Sequence, residues 1–332
     1  RIRRAIDETP AVTSRAQRRF GDLAFKTFYA WLAREAATLV AEAARPAVSL
    51  ADDDVAELAA YLCRSFGDPG RLDYGTGHET AFVVFLKCFL HASGSSRMAD
   101  DRATTNHSLA AAEAFGDDLA LNVFGDYVEA CRRCQTAYRL EPAGSRGVWA
   151  LDDYQCLAFL FGSAQHAVED DRAPAAFCTP DGRDLDRDSV RRERPGSLFF
   201  DGLAYLADAK TGNAPFREHS PVLFALSRKP WRAVNAAIFQ YWDAEVLGTF
   251  VVARHLRFGR LFSADWLGPS MPGSAGAVLN RSSAPEEEEN IVLAEPVCSL
   301  EDAREGPDVP TEVVPAAVED DHDVEGDGLV RL

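Results

Sequence analysis

Asp73-Tyr-Gly-Thr-Gly-His-Glu-Thr80 places a phenol, two hydroxyls, an imidazole and two carboxylates within eight residues, around two glycines. Side chains of these types bind ions or move protons, and glycine permits unusual backbone conformations and lets a ligand come close to the main chain. Thr76, His78 and Glu79 are expected to direct donors and acceptors toward that approach. An apolar series follows at Phe82, Phe85, Leu86, Phe89 and Leu90, the spacing of one buried helix face. The loop therefore opens a helix, where free backbone amides attract anions. The same residues also suit a well-capped turn between two helices, and the motif alone does not separate a pocket rim from a cap.

A second dense stretch, Glu141-Pro-Ala-Gly-Ser-Arg-Gly-Val-Trp-Ala-Leu-Asp-Asp-Tyr-Gln155, delivers Trp149 and two adjacent carboxylates to a helix start. Asp152 is the expected N-cap, and Asp153 projects differently, toward a cation or a hydroxyl. Acidic residues also occupy first helical turns because they offset the macrodipole, so both readings stand. A third stretch, Phe216-Arg-Glu-His-Ser-Pro221, adds Glu218 and His219, while Tyr241, Glu245, Arg254, His255 and Phe258 decorate a last long helix. Three His-containing clusters beside loops or helix ends point to one shared cleft. A free-standing metal hydrolase built on His78, Glu79, Asp152 and Asp153 is disfavoured, because no tight ligand spacing such as H-E-x-x-H is present.

Helical periodicity supplies the elements that must position these groups. Phe20, Leu23, Phe28, Trp31, Leu32, Leu39 and Val40 predict a helix over 15–43 that Pro46 ends. Ser49-x-x-Asp52 reads as a capping box for a helix through Val55, Leu58 and Leu62 that stops at Gly67-Asp-Pro-Gly70. Further helices are expected over 79–91, 118–139, 153–168, 197–209, 221–227 and 231–258, with Ser220-Pro221 as an N-cap and N1 pair. Convincing period-2 strands, G-x-G-x-x-G and P-loop patterns are absent, so the fold class is all-α. One helical domain is expected over 1–263, with a mobile insertion at 92–116 and a surface linker at 170–196. Residues 264–332, rich in Pro, Glu and Asp without periodicity, read as a disordered acidic tail.

The composition narrows the function classes. Of the net charge of −17, −14 lies in residues 282–332, which hold 16 acidic and 2 basic residues, so the folded body carries only −3. No basic stripe with interleaved aromatics favours nucleic acid, and no apolar run reaches the roughly 18 residues of a membrane span. No signal-peptide series is recognisable near the first residue, which is not Met. The seven cysteines are scattered and cannot all pair within the chain, so reduced thiols and a cytoplasmic location are expected, with the nucleus left open. Cys131-x-x-Cys134 continues a helical stripe and has no second pair with which to complete a zinc site.

Taken in order, the chain resembles the phosphotyrosyl phosphatase activator family, the serine/threonine protein phosphatase 2A activators. The resemblance rests on Phe28-Tyr-Ala-Trp-Leu, Arg71-Leu-Asp-Tyr-Gly-Thr-Gly-His-Glu79, Tyr138-Arg-Leu-Glu-Pro-Ala-Gly-Ser-Arg-Gly-Val-Trp149, Leu151-Asp-Asp-Tyr-Gln155, Lys210-Thr-Gly212, Glu218-His-Ser220 and Glu245-Val-Leu-Gly248, within residues 15 to 262. It implies an all-helical fold of core, lid and linker parts with a cleft lined by these loops. It implies activation of phosphatase 2A through its catalytic subunit, assisted metal loading with ATP and magnesium, and peptidyl-prolyl cis-trans isomerase (rotamase) activity on a proline-containing peptide, with a peptide-induced homodimer. By position, nucleotide contacts fall on Arg71, Thr76, Gly77, Arg254 and His255, and magnesium contacts on Gly147 and Asp153. Tyr74, His78, Glu79, Trp149, Asp152, Tyr154, Gln155, Glu218 and His219 are the expected peptide or phosphatase contacts. The alternative is a chaperone-like binding module without turnover. Ala150, Thr249, Val251 and Arg254 depart from the family pattern, and the loss of a proline at 251 is expected to let the last helix run on.

Overall fold

The computed structural model describes residues 1–12, 21–45, 50–93, 118–143, 154–169, 176–209, 214–253 and 255–263. Arg1–Leu279 form one compact unit. A second, Asn280–Leu332, lies wholly outside the described residues, as do the expected tail from 264 and nearly all of the insertion expected at 92–116.

Described helices are α1 (Ile2–Asp7), α2 (Ala24–Ala44), α3 (Asp52–Arg64), α4 (Thr76–Ala92), α5 (Gly125–Tyr138), α6 (Leu157–Glu169), α7 (Arg187–Glu193), α8 (Leu198–Ala209), α9 (Phe216–His219), α10 (Pro221–Leu226), α11 (Trp231–Tyr241) and α12 (Phe250–Ala253). π-helical turns precede α5 (Leu119–Phe124) and follow α11 (Trp242–Leu247). The strands among the described residues are β1 (Asp73–Tyr74) and β2 (Glu141–Pro142), paired in parallel with Asp73 opposite Glu141. The all-α expectation holds.

Aromatic side chains from distant helices make the core, since each buries a large area and pairs edge-on or offset. In one half, Phe25 and Phe28 of α2 pack on Tyr138 of α5, with ring centroids 5.7 and 5.8 Å apart, and Phe66 meets Tyr127 at 5.6 Å. In the other, Phe159 of α6, Phe199 of α8 and Trp231 of α11 interlock at 5.3 and 5.0 Å. Phe124 and Phe161, 4.9 Å apart, connect the two.

Four expected elements differ. The helix expected over 15–43 starts only at Ala24, because Gly21 has φ +74° and Leu23 is the N-cap. The helix expected over 231–258 is broken: Gly248 N–H donates to Asp243 O at 2.7 Å, a wide turn that closes the π-helical segment, and a new short helix starts at Phe250. The absent proline at 251 therefore does not produce a continuous helix, because the break precedes it. The helix expected from 153 starts at Leu157, and the linker expected at 170–196 contains α7, capped by the Asp186 side chain on Ser189 N–H. Ser49 of the expected capping box lies outside the described residues; Ala51 is the N-cap of α3 and makes no side-chain cap bond.

Candidate functional site

The site begins where α3 ends. Gly67 has φ +115°, a conformation that favours glycine, and a Cβ there would strike the Asp73 carbonyl. Asp68 then accepts the Gly70 and Arg71 N–H groups at 2.8 and 3.0 Å and pairs with Arg64 at 3.1 Å. This side-chain turn sends the chain into β1. Glu141 N–H donates to Leu72 O and Ala143 N–H to Tyr74 O, both at 2.9 Å, so the Glu141 block is bonded directly to the Arg71–Glu79 block.

Gly75 and Gly77 act through close approach. Gly75 is extended (φ −169°), and a Cβ there would overlap the Ala143 carbonyl. Gly77 lies in α4, and its Cβ would meet Val252 Cγ1 at 3.1 Å. The backbone freedom expected of these glycines is not used, since neither has a positive φ; Gly75 leaves room for the Ala143 carbonyl and Gly77 for Val252. The turn is thereby wedged between the blocks around 143 and 252.

Burial corrects the expectation that this loop turns its groups outward. Tyr74, His78 and Glu79 are buried, so their side chains cannot meet a partner surface. Tyr74 and Tyr127 share a hydroxyl bond at 2.9 Å, and Tyr127 donates to Ser65 O at 2.7 Å. His78 Nδ1–H donates to the Arg64 carbonyl at 2.7 Å, and Nε2 lies 3.5 Å from Asp73. Burial lowers the His78 pKa against the opposing pull of Asp73. Glu79 accepts N–H bonds from Cys156 (2.7 Å), Leu157 (2.8 Å) and Ala158 (3.3 Å), and so caps α6. Burial pushes its carboxyl up to about 7 against the opposing pull of those three bonds. Asp152 was expected to cap this helix near 153; the described start at Leu157 takes its cap from Glu79, far away in sequence.

Arg71 is the half-exposed cation of the turn. Its Nε donates to Asp73 at 2.5 Å, and burial, which alone would raise the Asp73 carboxyl, is outweighed by the His78 and Arg71 bonds that lower it. Thr76 Oγ1 is buried and has no hydrogen-bond partner among the described residues. Arg64 joins the turn to the 255 segment: its carbonyl takes the His78 bond while its Nε donates to the His255 carbonyl at 3.1 Å. Arg71, Thr76, Gly77 and His255 are thus brought into one region. Arg64 is absent from the sequence motifs, although Arg64-x-x-x-Asp68 has the i,i+4 spacing of an ion pair on a helix end.

Gln155 lies in a second polar cluster. Its Oε1 accepts from Arg132 Nε at 3.1 Å, Arg132 pairs with Asp201, and the guanidinium sits 4.9 Å from the Tyr205 ring, which Tyr154 meets edge-on at 6.1 Å. Glu218 is exposed, and α9 is tied instead to the loop at 181–183, through Phe216 N–H to Arg183 O and Arg217 to Asp181 O, both at 2.8 Å. His78 and His255 are linked through Arg64, while His219 bonds Ser220 and meets the Phe216 ring edge-on. Gly147, Trp149, Asp152, Asp153 and Arg254 lie outside the described residues. Among the described residues no three His, Cys, Asp or Glu side chains converge as a metal site, and no helix is long and apolar enough to cross a membrane. Cys131 and Cys134 are buried free thiols of α5, and burial raises both pKa values, that of Cys131 to about 12.

The sequence profile described as phosphotyrosyl phosphate activator (PTPA) protein matches residues 1–264. Serine/threonine-protein phosphatase 2A activator 1 of Emericella nidulans is 35% identical over 289 residues, covering 81% of this chain and 62% of the relative. The Schizosaccharomyces pombe protein of the same name is 35% identical over 263 residues, covering 79% and 73%. Serine/threonine-protein phosphatase 2A activator of Drosophila melanogaster is 33% identical over 245 residues, covering 72% and 54%. This chain therefore spans between about half and three quarters of these relatives' lengths. A crystal structure of the PP2A phosphatase activator Ypa1 superposes with a TM-score of 0.57 at 28% identity, covering 78% of this chain and 73% of that one.

Proposed function

The chain belongs to the phosphotyrosyl phosphate activator (PTPA) protein family, and from that premise we propose that it activates serine/threonine protein phosphatase 2A by engaging its catalytic subunit, with a nucleotide and magnesium at the joint site. The observation that carries this reading is the wedging of the Gly75-Thr76-Gly77 turn between Ala143 and Val252. That packing brings Ala143, just after β2, and Val252 of α12 against the Arg71–Glu79 block at one helix start, where amides and a guanidinium favour phosphate.

The residues present fit a phosphorylated ligand. Arg71 is exposed enough to reach one, Asp73 fixes its guanidinium beside the turn, and the buried Thr76 hydroxyl lacks a partner among the described residues. Arg71, Thr76, Gly77 and His255, with Arg254, would hold the nucleotide. Gly147 and Asp153 would offer magnesium hard oxygen ligands of the kind it prefers. When bound, the nucleotide would supply phosphate oxygens as further hard ligands for magnesium. The chain's own residues bind and orient: β1–β2 pairing holds Glu141 and Pro142 on the turn, and Glu79 holds the start of α6.

Prolyl isomerisation is the finer part of the proposal. Lowering a barrier of about 18–20 kcal/mol needs a site that favours the twisted amide, and Trp149 with Tyr154 would grip the proline. A second reading, a chaperone-like module without turnover, is favoured by the internal commitment of Tyr74, His78 and Glu79, which leaves no acid or base of the turn facing outward. Isomerisation of a test peptide at stoichiometric but not catalytic protein would select the module.

The test is reactivation of metal-depleted phosphatase catalytic subunit with ATP and magnesium, comparing this protein with Asp153→Ala. Nucleotide-dependent reactivation that the variant loses is the expected result. Absence of both binding and reactivation by the unmodified protein overturns the reading.

A further inference from the structure

We propose that Glu57 of α3 is a positioning residue that clamps the 255–262 segment and thereby sets His255 for nucleotide binding; the functional half of this inference rests on the nucleotide reading above. The Glu57 carboxylate faces a tight turn, in which Gly259 N–H donates to Phe262 O at 2.9 Å. Glu57 Oε2 accepts the Arg260 N–H at 3.0 Å and Oε1 the Leu261 N–H at 2.8 Å, so one carboxylate takes both amides that the turn presents. A carboxylate receiving two backbone N–H groups is held more strongly than a neutral acceptor would be. Tyr61 OH, one helical turn on, also donates to Glu57 and keeps the side chain aimed.

Neighbouring contacts make the clamp specific to this segment. A Cβ on Gly259 would overlap the Glu57 carboxylate, so only glycine lets the turn come this close. The Arg260 guanidinium pairs with Asp54, one turn before Glu57 on α3. Phe262 packs edge-on to Tyr61 at 6.5 Å and stacks on Phe258 at 5.4 Å, and Cys88 donates to Leu261 O at 3.6 Å. At the other end of the segment, Arg64, also on α3, donates to the His255 carbonyl. A single helix therefore holds the segment at both ends, from Arg64 at 255 and from Asp54 and Glu57 at 259–261. Releasing the far end removes one of the two anchors on α3 and leaves the His255 end of the segment on the Arg64 bond to its carbonyl and its own N–H bond to Val252 O. None of these α3 residues belongs to the motif blocks.

The experiment measures magnesium-ATP binding by calorimetry and amide exchange at Arg260 and Leu261, for the unmodified chain, Glu57→Ala, Glu57→Gln and Gly259→Ala, at a temperature where all four are folded. Glu57→Ala and Gly259→Ala, which break the clamp from opposite sides, are expected to weaken nucleotide binding about tenfold and to speed exchange at both amides about tenfold. Glu57→Gln keeps one acceptor oxygen and is expected to fall between, a graded rescue that general loosening of the fold would not produce. Unchanged affinity in Glu57→Ala, with the unmodified chain binding, overturns the clamp's role alone. Failure of the unmodified chain to bind nucleotide overturns the nucleotide reading and the clamp's function with it, and unchanged exchange at 260 and 261 overturns the clamp as a structural device.

Discussion

Replacing Glu79 by Gln should change the pH dependence of stability more than its magnitude. The carboxylate is fully buried and takes two N–H groups on one oxygen, Cys156 and Leu157, and a third, Ala158, on the other. A glutamine keeps one acceptor oxygen, enough for the first two, and turns an NH2 toward the Ala158 amide. One buried donor left unsatisfied costs about 1–3 kcal/mol. Against this, the variant escapes the cost of ionising a carboxyl whose pKa burial has raised from 4.5 to about 7. Because the folded state then keeps a proton that the unfolded chain releases, Glu79 leaves stability undiminished below pH 4.5, lowers it as pH climbs toward 7, and lowers it no further above that, a total loss of about 3 kcal/mol. Glu79→Gln has no such loss. Urea unfolding followed by tryptophan fluorescence should therefore find the variant about 2 kcal/mol less stable at pH 5. The difference should shift by about 2.5 kcal/mol in the variant's favour by pH 8, which brings the two proteins level or puts the variant slightly ahead. Titrations elsewhere occur in both proteins and cancel. Stability profiles that run parallel from pH 5 to pH 8 would refute the reasoning, since they would mean that Glu79 is ionised throughout.

Gly75→Ala should lower stability by about 1–3 kcal/mol, because its Cβ overlaps the Ala143 carbonyl and forces β1 and β2 apart; thermal melting reads the loss, and an unchanged transition would refute the wedge. Thr76→Val should leave stability within about 1 kcal/mol, since the removed hydroxyl has no hydrogen-bond partner among the described residues, yet weaken nucleotide binding about tenfold; equal affinity by calorimetry would remove Thr76 from the proposed site. Arg132→Met should cost about 2 kcal/mol in chemical denaturation, less than a fully buried pair because Asp201 keeps partial access to water. Cys131 and Cys134, buried and with raised pKa values, should resist a maleimide in the folded protein and react after unfolding; rapid labelling of the folded protein, located by mass spectrometry, would contradict their burial.

Helix identity was legible wherever an apolar stripe ran long enough, because burial on one face imposes the 3.6-residue period directly on the sequence. The helices α3, α8 and α10 lie within a few residues of where their stripes put them, and α2 and α5 end where expected but start later, at Ala24 and, after a π-helical turn, at Gly125. The element after Trp231 was misread for a local reason: the apolar pattern continues through Val246 and Phe250, while a single bond from Gly248 N–H to Asp243 O ends the helix. Of the candidate site, the identity of the turn and its place at a helix start were readable from Arg71 to Glu79.

What the sequence determined by itself was the all-helical class and the presence of a ligand-capable turn, which follow from spacing along the chain, and the family, which its ordered motif blocks resemble. What only the tertiary structure decided was the direction in which each side chain of that turn faces. Tyr74, His78 and Glu79 point inward because Tyr127, the Arg64 carbonyl and the open amides of α6 lie beneath them, and none of those partners is near in sequence. Burying an imidazole or a carboxylate is tolerable only where such partners wait. The same holds for Glu57, whose neighbours along α3 give no sign of the turn at 259–262 that it holds. Periodicity states which face of a helix is buried; which atoms it meets depends on where distant segments fold back.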